Sequence, residues 1–72
     1  MRNYRQAARD HDERRRGDWM FHFEEAVVAQ LPAAAGKIYW DDATYHYNRG
    51  AGYQEAADKY VASHMVDERY AR

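Results

Sequence analysis

This chain has 72 residues, a net charge of −1 and no cysteine, so it fits one domain with a thin stability margin. The lack of cysteine excludes disulfide bonds and thiolate metal sites. No run approaches the roughly 20 apolar residues of a membrane span, and the charged N-terminus has no apolar segment of signal-peptide length. We therefore expect a cytoplasmic protein, and nine arginines against two lysines favour a bacterial or bacteriophage source.

The charges are divided unevenly along the chain. Residues 1–17 hold six arginines against three acidic residues, a balance of +3, whereas residues 18–72 hold five basic and nine acidic residues, a balance of −4. The sequence therefore predicts a single helical domain over residues 1–72 that begins with a basic helix or arm at residues 1–17. Such an arm is either a solvated helix face or a contact surface for nucleic acid or an acidic protein.

Two helices are predicted in the first half of the chain. The first covers residues 2–16, and the second runs from Trp19 to Leu31. Gly17 is expected to weaken the helix between them, and Asp18 to cap the second one. Apolar residues at helical spacing support the second helix: Met20, Phe23, Val27 and Leu31. Pro32 should end it, because proline has no backbone N–H to continue the helix.

A second apolar strip on this helix is formed by Phe21 and Val28. It predicts either that the helix is sandwiched inside the domain or that the strip meets another chain.

The segment from residue 33 to residue 48 allows two interpretations. Aromatic and β-branched residues at 37–40 and 44–47 flank Asp41-Asp42-Ala43, which is typical of a short β-hairpin and would make the fold α+β. Read as a helix, the same segment places four residues on one face, and Gly50 stands where a C-terminal glycine belongs. These four are Trp40, Ala43, Thr44 and Tyr47. We favour the helix.

The C-terminal part is predicted to be a helix from Tyr53 to Tyr70, because its apolar residues recur at helical spacing. With the preceding helix it forms an antiparallel hairpin closed at Gly50-Ala51-Gly52. The fold class is therefore all-α, a small bundle of three to four helices. The stretch Tyr39–Tyr60 holds six of the eleven aromatic residues, and we expect it to be the centre of the core.

Residues 37–70 resemble a single tetratricopeptide repeat, a helix–turn–helix unit of 34 residues. The resemblance rests on aromatic and small residues at matching positions, namely Trp40, Tyr47, Tyr53, Ala56 and Tyr60. It departs from the family at four positions, which are Ala43, Thr44, Ser63 and Glu68. The resemblance implies two antiparallel helices that cross at Ala56, with residues 1–31 covering the faces that one repeat cannot bury.

The residues that carry chemistry form no catalytic or metal-binding set. His22 can pair with Glu25, His46 with Asp42, and His64 with Glu68 on shared helix faces, but none has the HExxH spacing of a zinc site. The single serine, Ser63, has no clear base, and Gly50-Ala51-Gly52 lacks the lysine of a phosphate-binding loop. The sequence therefore predicts no enzyme, no catalytic residues, no cofactor and no metal.

Aromatic residues outnumber what a small core needs, which favours a protein-binding module. Its candidate contact residues are Phe21, Trp40, Tyr45 and Tyr47. A small phage or mobile-element regulator that occludes a larger protein partner fits this pattern. One alternative is nucleic-acid binding through Arg2, Arg5 and Arg9, which recur along one face of the N-terminal helix. Another is a structural protein that self-assembles into a homo-oligomer.

Overall fold

A computed structural model of the protein describes the backbone of residues 4–71 and the side chains of residues 12–71. It contains three α-helices, α1 (Tyr4–Gln30), α2 (Trp40–Asn48) and α3 (Tyr53–His64). Two short 3₁₀ helices follow α1 and α3, at Pro32–Ala34 and Glu68–Tyr70. The described residues contain no strand. The prediction of a small all-α bundle is confirmed.

The alternative β-hairpin over residues 37–47 is wrong, because α2 occupies most of that segment. The carbonyl of Tyr39 accepts the backbone N–H groups of Asp42 (3.1 Å) and Ala43 (3.3 Å), and this starts the helix. Asp41 and Asp42 lie in its first turn, where carboxylates interact favourably with the positive end of the helix dipole. Ala43 faces the core and is fully buried.

The predicted break at Gly17 is also wrong, since α1 runs without interruption from Tyr4 to Gln30. A glycine inside a helix costs only about 1 kcal/mol relative to alanine. The helix formers around Gly17 and the packing of α1 from Trp19 onward offset that cost. The predicted end before Pro32 is correct: Leu31 donates its N–H to Val27 (2.7 Å), and the 3₁₀ helix begins at Pro32.

Helices α2 and α3 run antiparallel. Gly50, with a φ of 79°, takes the left-handed conformation that favours glycine and turns the chain between them. His64 at the end of α3 bonds to Asp42 at the start of α2, with 2.7 Å between Nε2 and Oδ2. This contact between the outer ends of the two helices confirms the antiparallel hairpin.

The predicted helix from Tyr53 to Tyr70 is wrong beyond His64, where α3 ends. The Asp67 carboxylate accepts the backbone N–H of Arg69 (2.8 Å) and caps the 3₁₀ helix Glu68–Tyr70. This turn folds Tyr70 back into the core, where its hydroxyl donates to the carbonyl of Lys37 (2.6 Å). A helix that continued straight would have carried Tyr70 away from this site.

The core is built from aromatic rings packed against small residues. Its buried members are Phe23, Val27, Ala34, Ile38, Ala43, Ala56, Ala57, Tyr60 and Tyr70. The rings of Phe23 and Tyr60 are perpendicular, with 5.4 Å between their centroids, which is a favoured aromatic geometry. Of the six aromatic residues in Tyr39–Tyr60, only Tyr60 is buried. The stretch therefore contributes to the core through Tyr60 and three alanines, Ala43, Ala56 and Ala57, while most of its aromatic rings lie at the edge of the core or in solvent.

The molecule is elongated, with dimensions of 54 × 20 × 17 Å. Residues 12–18 of α1 are all exposed, and packing against the core begins at Trp19, whose indole N–H donates to the carbonyl of Ala51 (3.0 Å). The arm thus leaves the body beside the turn between α2 and α3. We call the opposite end, where α2 begins and α3 ends, the distal end. No helix in the described part of the chain is long and apolar enough to cross a membrane.

Candidate functional site

A histidine held between two carboxylates lies at the distal end. The Nε2 atom of His64 is 2.7 Å from Oδ2 of Asp42, and its Nδ1 atom is 3.3 Å from Oδ2 of Asp67. Only the charged imidazolium carries an N–H on both nitrogens, so only that form can donate to both carboxylates at once. The contacts tie three parts of the chain together: the start of α2, the end of α3 and the turn that follows it.

Three tyrosines form a hydrogen-bonded chain behind this histidine. Tyr60 accepts the backbone N–H of Tyr39 at its hydroxyl oxygen (2.9 Å) and also bonds to the hydroxyl of Tyr70. Since Tyr70 donates to the carbonyl of Lys37, the proton between the two hydroxyls comes from Tyr60. Burial raises the pKa of Tyr70 well above its ordinary value, and the hydroxyl of Tyr60 adds to this effect. The Tyr70 hydroxyl therefore stays protonated, and both hydroxyls have hydrogen-bond partners.

The side chain of Arg69 covers one of these rings. Its guanidinium carbon is 4.4 Å from the centroid of Tyr39, which is cation–π geometry. His64 also stacks on Tyr39, with 5.0 Å between the ring centroids. Beside Arg69 the surface forms an open pocket whose walls include Trp40, Asp41 and Asp42. We call it the distal pocket.

Three exposed apolar side chains lie at the distal end, and one of them, Trp40, lines this pocket. Trp40 is 45% exposed, Met65 62% and Val66 89%. Trp40 begins α2 and the other two residues follow the end of α3, so all three lie at the distal end. Large apolar side chains that are exposed near one another are a feature of interaction sites. The hydrogen bonds of His64 and of the tyrosines hold the backbone beneath these side chains.

The structure brings no two of the four predicted protein-contact residues into ring contact among the described residues. Phe21 (62%), Trp40 (45%) and Tyr45 (56%) are exposed, but Tyr47 is half-buried because its ring packs against Trp19, with 5.3 Å between centroids. Phe21 touches His22 instead, and Tyr45 touches His46. Of the four, only Trp40 lines the distal pocket.

The predicted nucleic-acid contacts Arg2, Arg5 and Arg9 lie outside the residues whose side chains are described. Later arginines of the same arm, at positions 14–16, are exposed on α1. The arm therefore offers cationic side chains to solvent in the part of it that the structure describes.

The histidine pairs were predicted only in part. His22 bonds to Glu25 (3.2 Å) as its spacing indicates, but His64 bonds to Asp42 and Asp67 rather than to Glu68. Asp42 and Asp67 approach different nitrogens of the ring, so these side chains do not face a common point. Within the described residues, no three histidine, aspartate or glutamate side chains are placed to hold a metal ion.

Sequence reasoning did not identify Asp67, Met65 and Val66 as part of a site. The burial of Tyr70 folds these residues onto the distal end, and no local spacing reports that contact. The sequence Asp67-Glu68-Arg69 carried a weak signal for a turn at this point, because aspartate before a short turn is a frequent cap.

Acidification should test the role of Asp67. The N–H of Arg69, with a smaller contribution from His64, holds the pKa of the Asp67 carboxyl below its ordinary value of 3.8. A carboxyl with a lowered folded-state pKa stabilises the fold above its unfolded pKa and loses that effect as the pH falls through the folded value. Asp67→Asn keeps the cap acceptor but removes the titration. We expect the variant to lose less of its free energy of unfolding than the wild type between about pH 6 and about pH 3.

Urea unfolding at the two pH values measures this difference. Asp18→Asn is the matched control, since the Asp18 side chain is exposed inside α1 and has no hydrogen bond or ion pair among the described residues, and it should follow the wild type. Parallel losses in the wild type and Asp67→Asn would contradict the assignment.

The resemblance of residues 37–70 to a tetratricopeptide repeat stays a prediction. Its geometric part, an antiparallel hairpin with buried Ala56 and Tyr60, agrees with the fold. No family model, curated protein or solved structure matches the chain, so its function is inferred from the distal site and the arm.

Proposed function

We propose that this chain is a non-enzymatic protein-binding module that occludes a larger partner, in the manner of a small phage or mobile-element regulator. The observation that carries the proposal is the exposure of Trp40, Met65 and Val66 together at the distal end. A single exposed apolar residue is ordinary on a protein surface. Three at one end of a body this small form a surface that a partner would cover.

The rigidity of the distal end supports the same proposal. His64 and the buried Tyr60–Tyr70 pair fix the backbone on both sides of the exposed residues. A surface already held in its binding conformation loses less entropy on association. Trp40 is the best anchor in this set, because tryptophan is enriched among residues that dominate binding energy.

Partner capture tests the proposal. Immobilised wild-type protein and a Trp40→Ala, Val66→Ser double variant are exposed to lysate of the native host, and bound proteins are identified by mass spectrometry. We expect the wild type to retain a specific protein. The double variant should retain about tenfold less of that protein, since one interface anchor contributes roughly 1–2 kcal/mol or more. Circular dichroism should show equal helicity in both, because both changed residues are solvent-exposed.

Tyr45→Ala is the matched control. It removes another exposed aromatic residue from α2, but one that does not line the distal pocket. It should retain the partner. Loss with Tyr45→Ala and retention with the double variant would show that the distal end is not the contact surface. A different result would be that all three proteins capture equal amounts of nucleic acid that salt releases. That result would assign the function to the arginine-rich arm.

A further inference from the structure

We infer that the distal end binds a basic segment of the partner protein and seats one of its guanidinium groups between Trp40 and the carboxylates of Asp41 and Asp42. This inference rests on the proposed function and names the chemistry of its partner. It draws on the apolar surface, on the charge around it, and on a guanidinium contact that the chain already makes within itself.

The charge around the exposed apolar residues is predominantly negative. Four carboxylates lie in the segments that form the distal end, and they belong to Asp41, Asp42, Asp67 and Glu68. Two cationic side chains among the described residues, Lys37 and Arg69, accompany them. Even with a positive charge on His64, which lies between Asp42 and Asp67, the carboxylates outnumber the cations. Complementary charge guides association and disfavours partners of the same sign. A basic partner surface therefore fits this end, whereas an acidic one would be repelled.

Carboxylate oxygens remain open to a donor here. Asp42 bonds to His64 through Oδ2, and within the described residues its other oxygen has no hydrogen bond. Asp41 makes no side-chain hydrogen bond or ion pair there either. These neighbouring residues of the first turn of α2 both line the pocket. Guanidinium, with its planar fork of N–H donors, is the cation best suited to such oxygens.

The chain itself contains a contact between a guanidinium group and an aromatic ring at the distal end. Arg69 places its guanidinium over Tyr39 at 4.4 Å from the ring centroid. In the described residues Trp40 carries no such cation, although it lines the same pocket and is the ring type that binds cations best. The partner's arginine would thus repeat at Trp40 the contact that Arg69 makes at Tyr39. Met65 and Val66 would cover apolar residues next to that arginine.

Nuclear magnetic resonance of the two indole N–H groups tests this inference with the intact chain. The N–H of Trp19 is bonded to the carbonyl of Ala51 and serves as an internal reference, whereas Trp40 lies at the pocket. The probe is a capped peptide of sequence Leu-Arg-Leu, and its control replaces arginine with citrulline, which has nearly the same shape but no charge. We expect the Trp40 resonance to shift with a dissociation constant of about 1 mM and the Trp19 resonance to stay in place.

The charge contact should appear as a ratio of affinities. Citrulline should weaken binding about two- to fivefold, in line with the energy of roughly 0.5–1 kcal/mol for an exposed cation–π contact. Asp41→Asn should weaken the arginine peptide by a similar factor, and Glu13→Gln, which removes a carboxylate from the arm at the other end, should leave its affinity unchanged. Circular dichroism of each variant verifies the fold.

Three results would overturn the inference. Equal affinity for the arginine and citrulline peptides would show that the site does not recognise the guanidinium group. An unchanged Trp40 resonance would show that the peptide does not bind at Trp40. In both cases the capture experiment would still test the proposed function separately. Its outcome depends on Trp40 and Val66 and not on the charge of the partner. A Trp40 shift on simple dilution of the protein without peptide would show that the basic arm of a second copy occupies the site.

Discussion

Replacing Phe23 with alanine is expected to lower the free energy of unfolding by about 3–5 kcal/mol. The Phe23 side chain is fully buried, stacked on Trp19 at 5.3 Å and packed against Tyr60 at 5.4 Å between centroids. Its removal leaves a cavity at the contact of α1 with α3. Because domains of this size are stable by only about 4–11 kcal/mol, the variant should be close to unfolding at room temperature.

Phe21→Ala is the matched control for this prediction. It deletes the same side chain two residues earlier in α1, but from a position that is 62% exposed. We expect a change within about 0.5 kcal/mol, as for most surface substitutions. Urea unfolding followed by circular dichroism measures both variants. Equal destabilisation by the two would mean that the α1–α3 contact is not the centre of the core.

Replacing Tyr60 with phenylalanine is expected to cost about 1–3 kcal/mol, although it removes only one oxygen atom. The Tyr60 hydroxyl accepts from the N–H of Tyr39 and donates to Tyr70. Phenylalanine fills the same space but leaves that N–H without its acceptor at a part-buried site. The loss should also loosen the distal end, because Tyr70 then keeps only its bond to Lys37.

The control here is Tyr53→Phe on the same helix. The Tyr53 side chain is exposed, and among the described residues its hydroxyl has no hydrogen bond. Thermal unfolding should place the midpoint of Tyr60→Phe several degrees below the wild type, on the order of 4–8 °C per kcal/mol for a domain of this size. Tyr53→Phe should match the wild type. A Tyr60→Phe midpoint equal to the wild type would show that the hydroxyl network contributes nothing.

The distal site was only partly predictable. Trp40 was predicted as a candidate contact residue because aromatic residues exceed what the core needs, and the structure leaves it 45% exposed. The pairing of His64 with Asp42 was not, because these residues are 22 positions apart and meet only after α2 and α3 have folded back on each other. The local pair His22–Glu25, by contrast, follows directly from helical spacing.

By itself, the sequence determined the all-α fold class, the end of α1 before Pro32 and the hairpin turn at Gly50. These features depend on helical periodicity, on the missing N–H of proline and on the freedom of glycine at positive φ, and all of them act between near neighbours. The continuation of α1 through Gly17 is a local matter, since residues 12–18 are exposed and the helix formers around the glycine offset its cost of about 1 kcal/mol. Tertiary structure alone decided that α3 stops at His64 and which tyrosines are buried, because packing between distant segments outweighs local helix preference. The distal end owes its form to that packing, since burial of Tyr70 brings Asp67 to His64 and leaves Met65 and Val66 exposed.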